Sequence, residues 1–210
     1  MNAIDPDGKD DYEINKDGCI RNITSFWEKV KEIFGCGNGK DRIFMKGSED
    51  PSIVLPEGSI INMEDNLEYS KIEIKDGEIA EEVFQTIISD SDVEWAHLRH
   101  SDKSNSGTSL IINNHKDNDV SKSASFANTY KNRGEHISLF EHSHPIPKDI
   151  KYSNVPTFNM IISVSGANGE KGDINTAKKY PGTVFRVYDL NQKRIQYYDG
   201  NGIKKTVKWK

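Results

Sequence analysis

Cysteine is almost missing from this chain: 2 in 210 residues, Cys19 and Cys36. Thiols this sparse exclude a cysteine-rich zinc ribbon. The two flank a predicted helix, and a disulfide between them would require an oxidising compartment; unpaired structural thiols are the expectation. Apolar residues are scarce too, at 34%, and no run of about 18 of them exists to cross a membrane as a helix. Positive charge is not in excess. Lys and Arg number 28 against 33 Asp and Glu, a net charge of -5, which argues against nucleic-acid binding as the main device. The first 18 residues are acidic and polar, without the basic start and apolar middle of a signal peptide. Any export would have to come from elsewhere, for instance a larger parent chain. No internal repeat or low-complexity segment is present.

What is present suffices for one sizeable core, or for a domain with an appendage. Turn signals open the chain at Asp5-Pro6-Asp7-Gly8 and Lys16-Asp17-Gly18, with a hairpin strand, Tyr12-Glu13-Ile14-Asn15, between them. Thr24 caps a predicted helix over 25–34, and short strands follow at 43–45, 52–55 and 60–63. The character changes near Gly77. A helix is predicted over 79–88, with Val83, Phe84, Ile87 and Ile88 on one stripe. Then come strands at 93–98 and 108–113, a helix at 121–133 capped by Asp119 or Ser121, and strands at 137–140 and 158–164. A short helix around Ala177 precedes a closing meander at 183–188, 194–198 and 203–209. This order reads as an α/β or α+β core over residues 76–210, with an N-terminal extension or junction module over 1–75.

The run with most chemical content is His142-Ser143-His144-Pro145. On a strand, residues two apart point to the same side, so the two imidazoles aim at one point. Two histidines and a carboxylate make a three-ligand zinc site with one position open. Pro145 ends the ladder. Asp149, Asp173 and Asp189 are the candidate carboxylates. Asp173 follows a glycine-rich loop and stands where a helix begins, favourably for the helix dipole. Glu94 lies in an otherwise apolar strand, Val93-Glu94-Trp95-Ala96, a costly place unless it faces water or a charge. It is the candidate base. Glu141 and Ser143 point away from the histidines. Ser165 is a candidate hydroxyl for a developing oxyanion.

The order Glu94, His142-Ser143-His144-Pro145, Ser165, Asp173 resembles the JAMM (JAB/MPN) family of zinc isopeptidases. It is closer still to the JAB-like toxin domains of bacterial polymorphic toxins. Those carry Val-Glu-Trp, His-Ser-His-Pro, Ser-Gly, a later Gly-Asp and a Phe-Arg-x-Tyr strand, here Val93–Trp95, His142–Pro145, Ser165-Gly166, Gly172-Asp173 and Phe185–Tyr188. Ile4-Asp5-Pro6-Asp7-Gly8 is similar to the Asp-Pro-x-Gly junction of Rhs-type shells. The resemblance covers about residues 79–200 and that junction.

It implies a JAMM/cytidine-deaminase-like mixed sheet flanked by helices. It also implies Zn2+ held by His142, His144 and Asp173, with Glu94 as base and Ser165 beside the oxyanion. The activity implied is that of a zinc peptidase or isopeptidase, deubiquitinase-like, serving as a toxin domain. Its partners would be a protein substrate with a ubiquitin-like C-terminus and a cognate immunity protein. Such a domain would be secreted within a larger toxin and act in the target cell's cytoplasm; the alternative is a cytoplasmic protein. Two rival readings are an MPN-like binding module without catalysis, and a metal-dependent hydrolase of another bond.

Overall fold

The computed structural model describes residues 11–24, 40–102, 107–146 and 172–209. The expected helix at 25–34, Cys36, the expected strand at 158–164, Asp149 and Ser165 lie outside the described residues.

Two sheets are formed. The smaller has the order β2-β1-β3-β4, from β1 (Asp11–Ile14), β2 (Ile20–Asn22), β3 (Lys40–Met45) and β4 (Ile53–Pro56). The β1–β2 hairpin turns through Gly18 at φ +82°. A Cβ there would also stand 2.7 Å from the Asn113 side chain, so both backbone and space require glycine.

The larger sheet is built on β5 (Ile60–Asp65), β6 (Ser70–Ile74), β7 (Trp95–Ser101) and β8 (Gly107–Asn113). Its remaining strands are β9 (His136–His144), β10 (Val184–Asp189), β11 (Arg194–Asp199) and β12 (Gly202–Lys208). The order is β12-β11-β10-β9-β7-β8-β6-β5. β9 and β10 pair in parallel, and the other neighbours are antiparallel.

Helices cover both faces. α1 (Gly77–Asp90) is capped by Asp76, whose carboxylate accepts from the N–H groups of Glu78 and Ile79. Its buried stripe, Ala80, Val83, Phe84, Ile87 and Ile88, packs with Trp95, Ile111 and the small sheet. α2 (Ser121–Asn132) and α3 (Asp173–Lys179) lie on the other face. There Ala127, Tyr130 and Ala177 meet Ala96, Leu98, Leu110 and Ile112. Alternation along β7 and β8 makes this split: Ile111 faces α1, while Leu110 and Ile112 face α2. The α2 start has Val120 as its cap residue and no side-chain cap bond. Asp119 instead accepts from the Ser121 N–H at 2.7 Å.

The expected class, a mixed sheet flanked by helices, is the one formed. The boundary expected at residues 75–76 falls just after β6, within the run of strands that forms the large sheet. β6 pairs with β8 along Ser70–Ile74, and β5 pairs with β6. Tyr12, Ile14, Ile43 and Leu55 of the small sheet share one core with Val83 and Trp95. β6 is the strand that the sequence reading lacks. Ile72 and Ile74 face the α1 core, whereas Lys71 pairs with Glu73 at 2.9 Å and lies over the Phe126 ring of α2. A short strand that buries a lysine on its second face carries little apolar signal.

A chain beginning at Asp76 is therefore expected to lose cooperative folding, read as a broad, low-amplitude thermal transition. Retention of a sharp transition near that of the full chain would show that β5, β6 and the small sheet are dispensable. Within the full chain, Trp95→Ala should cost roughly 3–5 kcal/mol in denaturant unfolding, since Trp95 is fully buried.

Candidate metal centre

β9 lies between β7 and β10 and ends in a buried polar run, Glu141-His142-Ser143, then partly buried His144. Alternation divides it. Phe140, and with it His142 and His144, faces the α2 and α3 side. Glu141 and Ser143 face the α1 side, as the strand spacing requires.

On the histidine side the two Nε2 atoms stand 3.1 Å apart. Glu94 Oε1 is 3.6 Å from each, and Asp173 Oδ1 is 3.4 Å from His142 Nε2. Three elements supply these groups: the residue entering β7, the end of β9 and the first residue of α3. Glu94 is seated by its own N–H, which donates to Lys116 O at 2.8 Å. Trp95, the next residue, donates its N–H to Ser143 Oγ at 3.1 Å. Ser143 thus ties the start of β7 to the strand that bears the histidines.

The electrostatics favour a cation. Burial raises the Glu94 pKa well above the usual carboxylate range, and the negative charges of Asp173, Asp119 and Asp117 add to it. Burial, then the neighbouring His142, lowers the His144 pKa to about 3, against the pull of Asp173. His144 is therefore neutral at pH 7, with a lone pair to offer. With Zn–N bonds of roughly 2.0–2.1 Å, two tetrahedral nitrogen ligands lie roughly 3.3 Å apart, close to the separation found. The donor set of two imidazoles and a carboxylate is one that zinc accepts. Glu94, His142 and His144 present ligand atoms within 4.8 Å of one another; Asp173 is not of that group and adjoins it at His142. His144 Nδ1 is buried without a hydrogen-bond partner among the described residues.

Of the other candidate carboxylates, Asp189 is spent elsewhere. It is fully buried, accepts from the Gln192 N–H at 3.1 Å and from Arg194 Nε at 3.0 Å. Asp149 and Ser165 lie outside the described residues.

The structure adds neighbours that sequence reasoning missed. Burial, Asp173 and Glu94 all push the Tyr198 pKa upward, in that order, and its ring belongs to the core on the α2 and α3 side. On the opposite face Glu141 Oε1 is 2.7 Å from His97 Nδ1. Glu141 Oε2 is in ionic contact with Arg186 Nε at 2.6 Å, without hydrogen-bond alignment. Arg186 reaches on to Glu81 at 3.0 Å. An alternating pattern of His97 and Arg186 between apolar residues is the sole sequence trace of that network.

The chain belongs to the JAB-like toxin 1 family, which matches residues 72–178. That span holds Glu94, His142, His144 and Asp173. No curated protein and no solved structure matches the chain.

If this cluster is a metal centre, His144→Ala should abolish binding of the ion at this position in calorimetric titration of metal-stripped protein with zinc. Glu94→Gln should keep it. Unchanged zinc uptake in His144→Ala at this position would remove the histidine pair from the ligand set.

Proposed function

We propose that this domain is a zinc-dependent peptidase or isopeptidase, the effector part of a bacterial toxin. The carrying observation is the convergence of Glu94, His142 and His144, whose ligand atoms lie within 4.8 Å of one another, with Asp173 3.4 Å from His142. Membership of a JAB-like toxin family supports the toxin role.

In this reading His142, His144 and Asp173 hold the ion. Zinc bound there would polarise an amide carbonyl and bring the pKa of water in its open position to about 7. Glu94 takes the proton from the attacking water at a carboxylate oxygen and hands it to the leaving amine nitrogen, completing hydrolysis. Its environment suits a shuttle. Burial and nearby carboxylates raise its pKa, which favours holding the proton, while a cation at the histidines would favour release. Glu94 touches both histidines and so stands where that water would be. Ser165 is assigned the oxyanion-side hydroxyl by resemblance. Asp173 and Glu94 also bear on Tyr198, whose buried ring packs on Phe185 at 5.4 Å.

A protein substrate ending in a ubiquitin-like C-terminus, and a cognate immunity protein that masks the site, are the proposed partners. Delivery as part of a larger secreted toxin is the proposed route. Among the described residues no helix is long and apolar enough to cross a membrane.

The test is hydrolysis of isopeptide-linked ubiquitin-like dimers by zinc-loaded protein, followed by mass spectrometry of the new termini. Glu94→Gln is expected to lower the rate by roughly 10²–10⁴, the usual worth of general acid–base catalysis, with zinc retained. Expressed in a cell that it enters, the same variant should be harmless. Full toxicity in Glu94→Gln would show that killing does not need this base. A zinc-loaded protein that cleaves a phosphodiester but no amide would favour the rival hydrolase reading.

A further inference from the structure

A second cluster of metal-ligating side chains lies at the junction of the two sheets. Cys19 comes from the β1–β2 loop, Asp65 from the end of β5 and His115 from the turn after β8. One ligand atom from each lies within 4.8 Å of the others. Cys19 Sγ is 3.8 Å from His115 Nδ1. For Zn–S of roughly 2.3 Å and Zn–N of roughly 2.0–2.1 Å, tetrahedral geometry sets that edge at roughly 3.6 Å.

Each group is oriented by bonds of its own. His115 Nε2 is 2.9 Å from Asn66 O. A carbonyl can only accept, so Nε2 carries the proton and Nδ1 presents its lone pair toward the thiol. Asp17 O, at 3.4 Å from Nδ1, is then a neighbour rather than an acceptor. This is the arrangement by which metal-bound histidines are fixed from behind. Asp65 Oδ1 accepts from the Ile20 N–H at 3.2 Å and from Ser70 Oγ, which fixes the carboxylate. Asn113 is fully buried and clamps the two arms together. Its Nδ2 donates to Gly18 O at 3.0 Å and its Oδ1 accepts from the His115 N–H at 2.8 Å. His115 itself is held at φ +57°, a conformation that costs a non-glycine residue energy unless the surroundings impose it.

We propose that Cys19, Asp65 and His115 form a second site, for a divalent transition metal of the zinc class, that ties the N-terminal sheet to the large sheet. Sulfur, imidazole nitrogen and carboxylate oxygen together select zinc or cobalt over magnesium or calcium. Three protein ligands leave one coordination position to water. The site is structural in its placement. It bridges the β1–β2 loop, β5 and the β8 turn, and the residue after His115 is Lys116, whose carbonyl accepts from the Glu94 N–H. The proposal does not depend on the hydrolytic reading of the histidine pair.

Cobalt separates the two sites, because thiolate bound to Co2+ gives an intense near-ultraviolet charge-transfer band and an all-nitrogen and oxygen site gives none. Reduced, metal-stripped full-length protein is titrated with Co2+, with circular dichroism of each variant as a check on folding. The band is expected in the wild type and in His144→Ala. It should be lost in Cys19→Ser, a mild change at an exposed position. In His115→Ala, Co2+ affinity read from the band should fall roughly tenfold or more. Zinc should raise the melting temperature of His144→Ala and leave that of the Cys19→Ser, His144→Ala double variant unmoved. A folded wild type without the band, a band that persists in Cys19→Ser, or unchanged affinity in His115→Ala would each overturn the site.

Discussion

Polar side chains cannot be buried in mid-sheet without partners, and this fold buries three in succession, Glu141, His142 and Ser143, on the strand between β7 and β10. Strand alternation makes that tolerable. It sends Glu141 and Ser143 one way and the histidines the other. Each face then needs its own answer. On the α1 side His97 and Arg186 flank Glu141, Arg186 reaches on to Glu81, and Ser143 Oγ receives the Trp95 N–H. On the α2 and α3 side imidazoles and carboxylates stand against one another.

The contacts on the α1 side explain how the histidine side is held. Glu141 and Ser143 anchor β9 from behind, so the histidines leave the strand with little freedom. The parallel pairing of β9 and β10 matters here as well. A parallel neighbour requires a crossover, and α3 with Asp173 lies in the stretch of chain between these two strands. The connection thereby delivers a carboxylate to the C-terminal end of β9. Positional precision of this kind comes from rigid elements, with loops contributing little.

The N-terminal part is integral to the scaffold. β5 and β6 extend the large sheet, and the small sheet closes the α1 face by sharing its apolar core. One edge of the large sheet, β12, carries Lys204, Lys205 and Lys208, the sort of charged edge that discourages pairing with another sheet. The junction of the two sheets is where Asn113, Gly18 and His115 come together.

Much of the centre was legible in the chain alone, for a physical reason. The spacing of His142 and His144 on a strand, and of Glu141 and Ser143 between them, obeys a two-residue period that needs no tertiary information. Glu94 announced itself as a charged residue in an apolar strand. The α1 stripe at Val83, Phe84, Ile87 and Ile88 followed from helical period in the same way. The folded chain alone decided the rest. Asp173 and Asp189 are both carboxylates beside a regular element, and long-range pairing gives one to His142 and the other to Arg194. Whether residues 60–74 belong to the main sheet depends on the partner that β8 accepts, and no local pattern encodes that choice. Cys19, Asp65 and His115 are separated by dozens of residues, and each alone is an ordinary polar position. Strand order brings them together, because contacts between distant segments are set by the packing of whole elements rather than by any one segment's sequence.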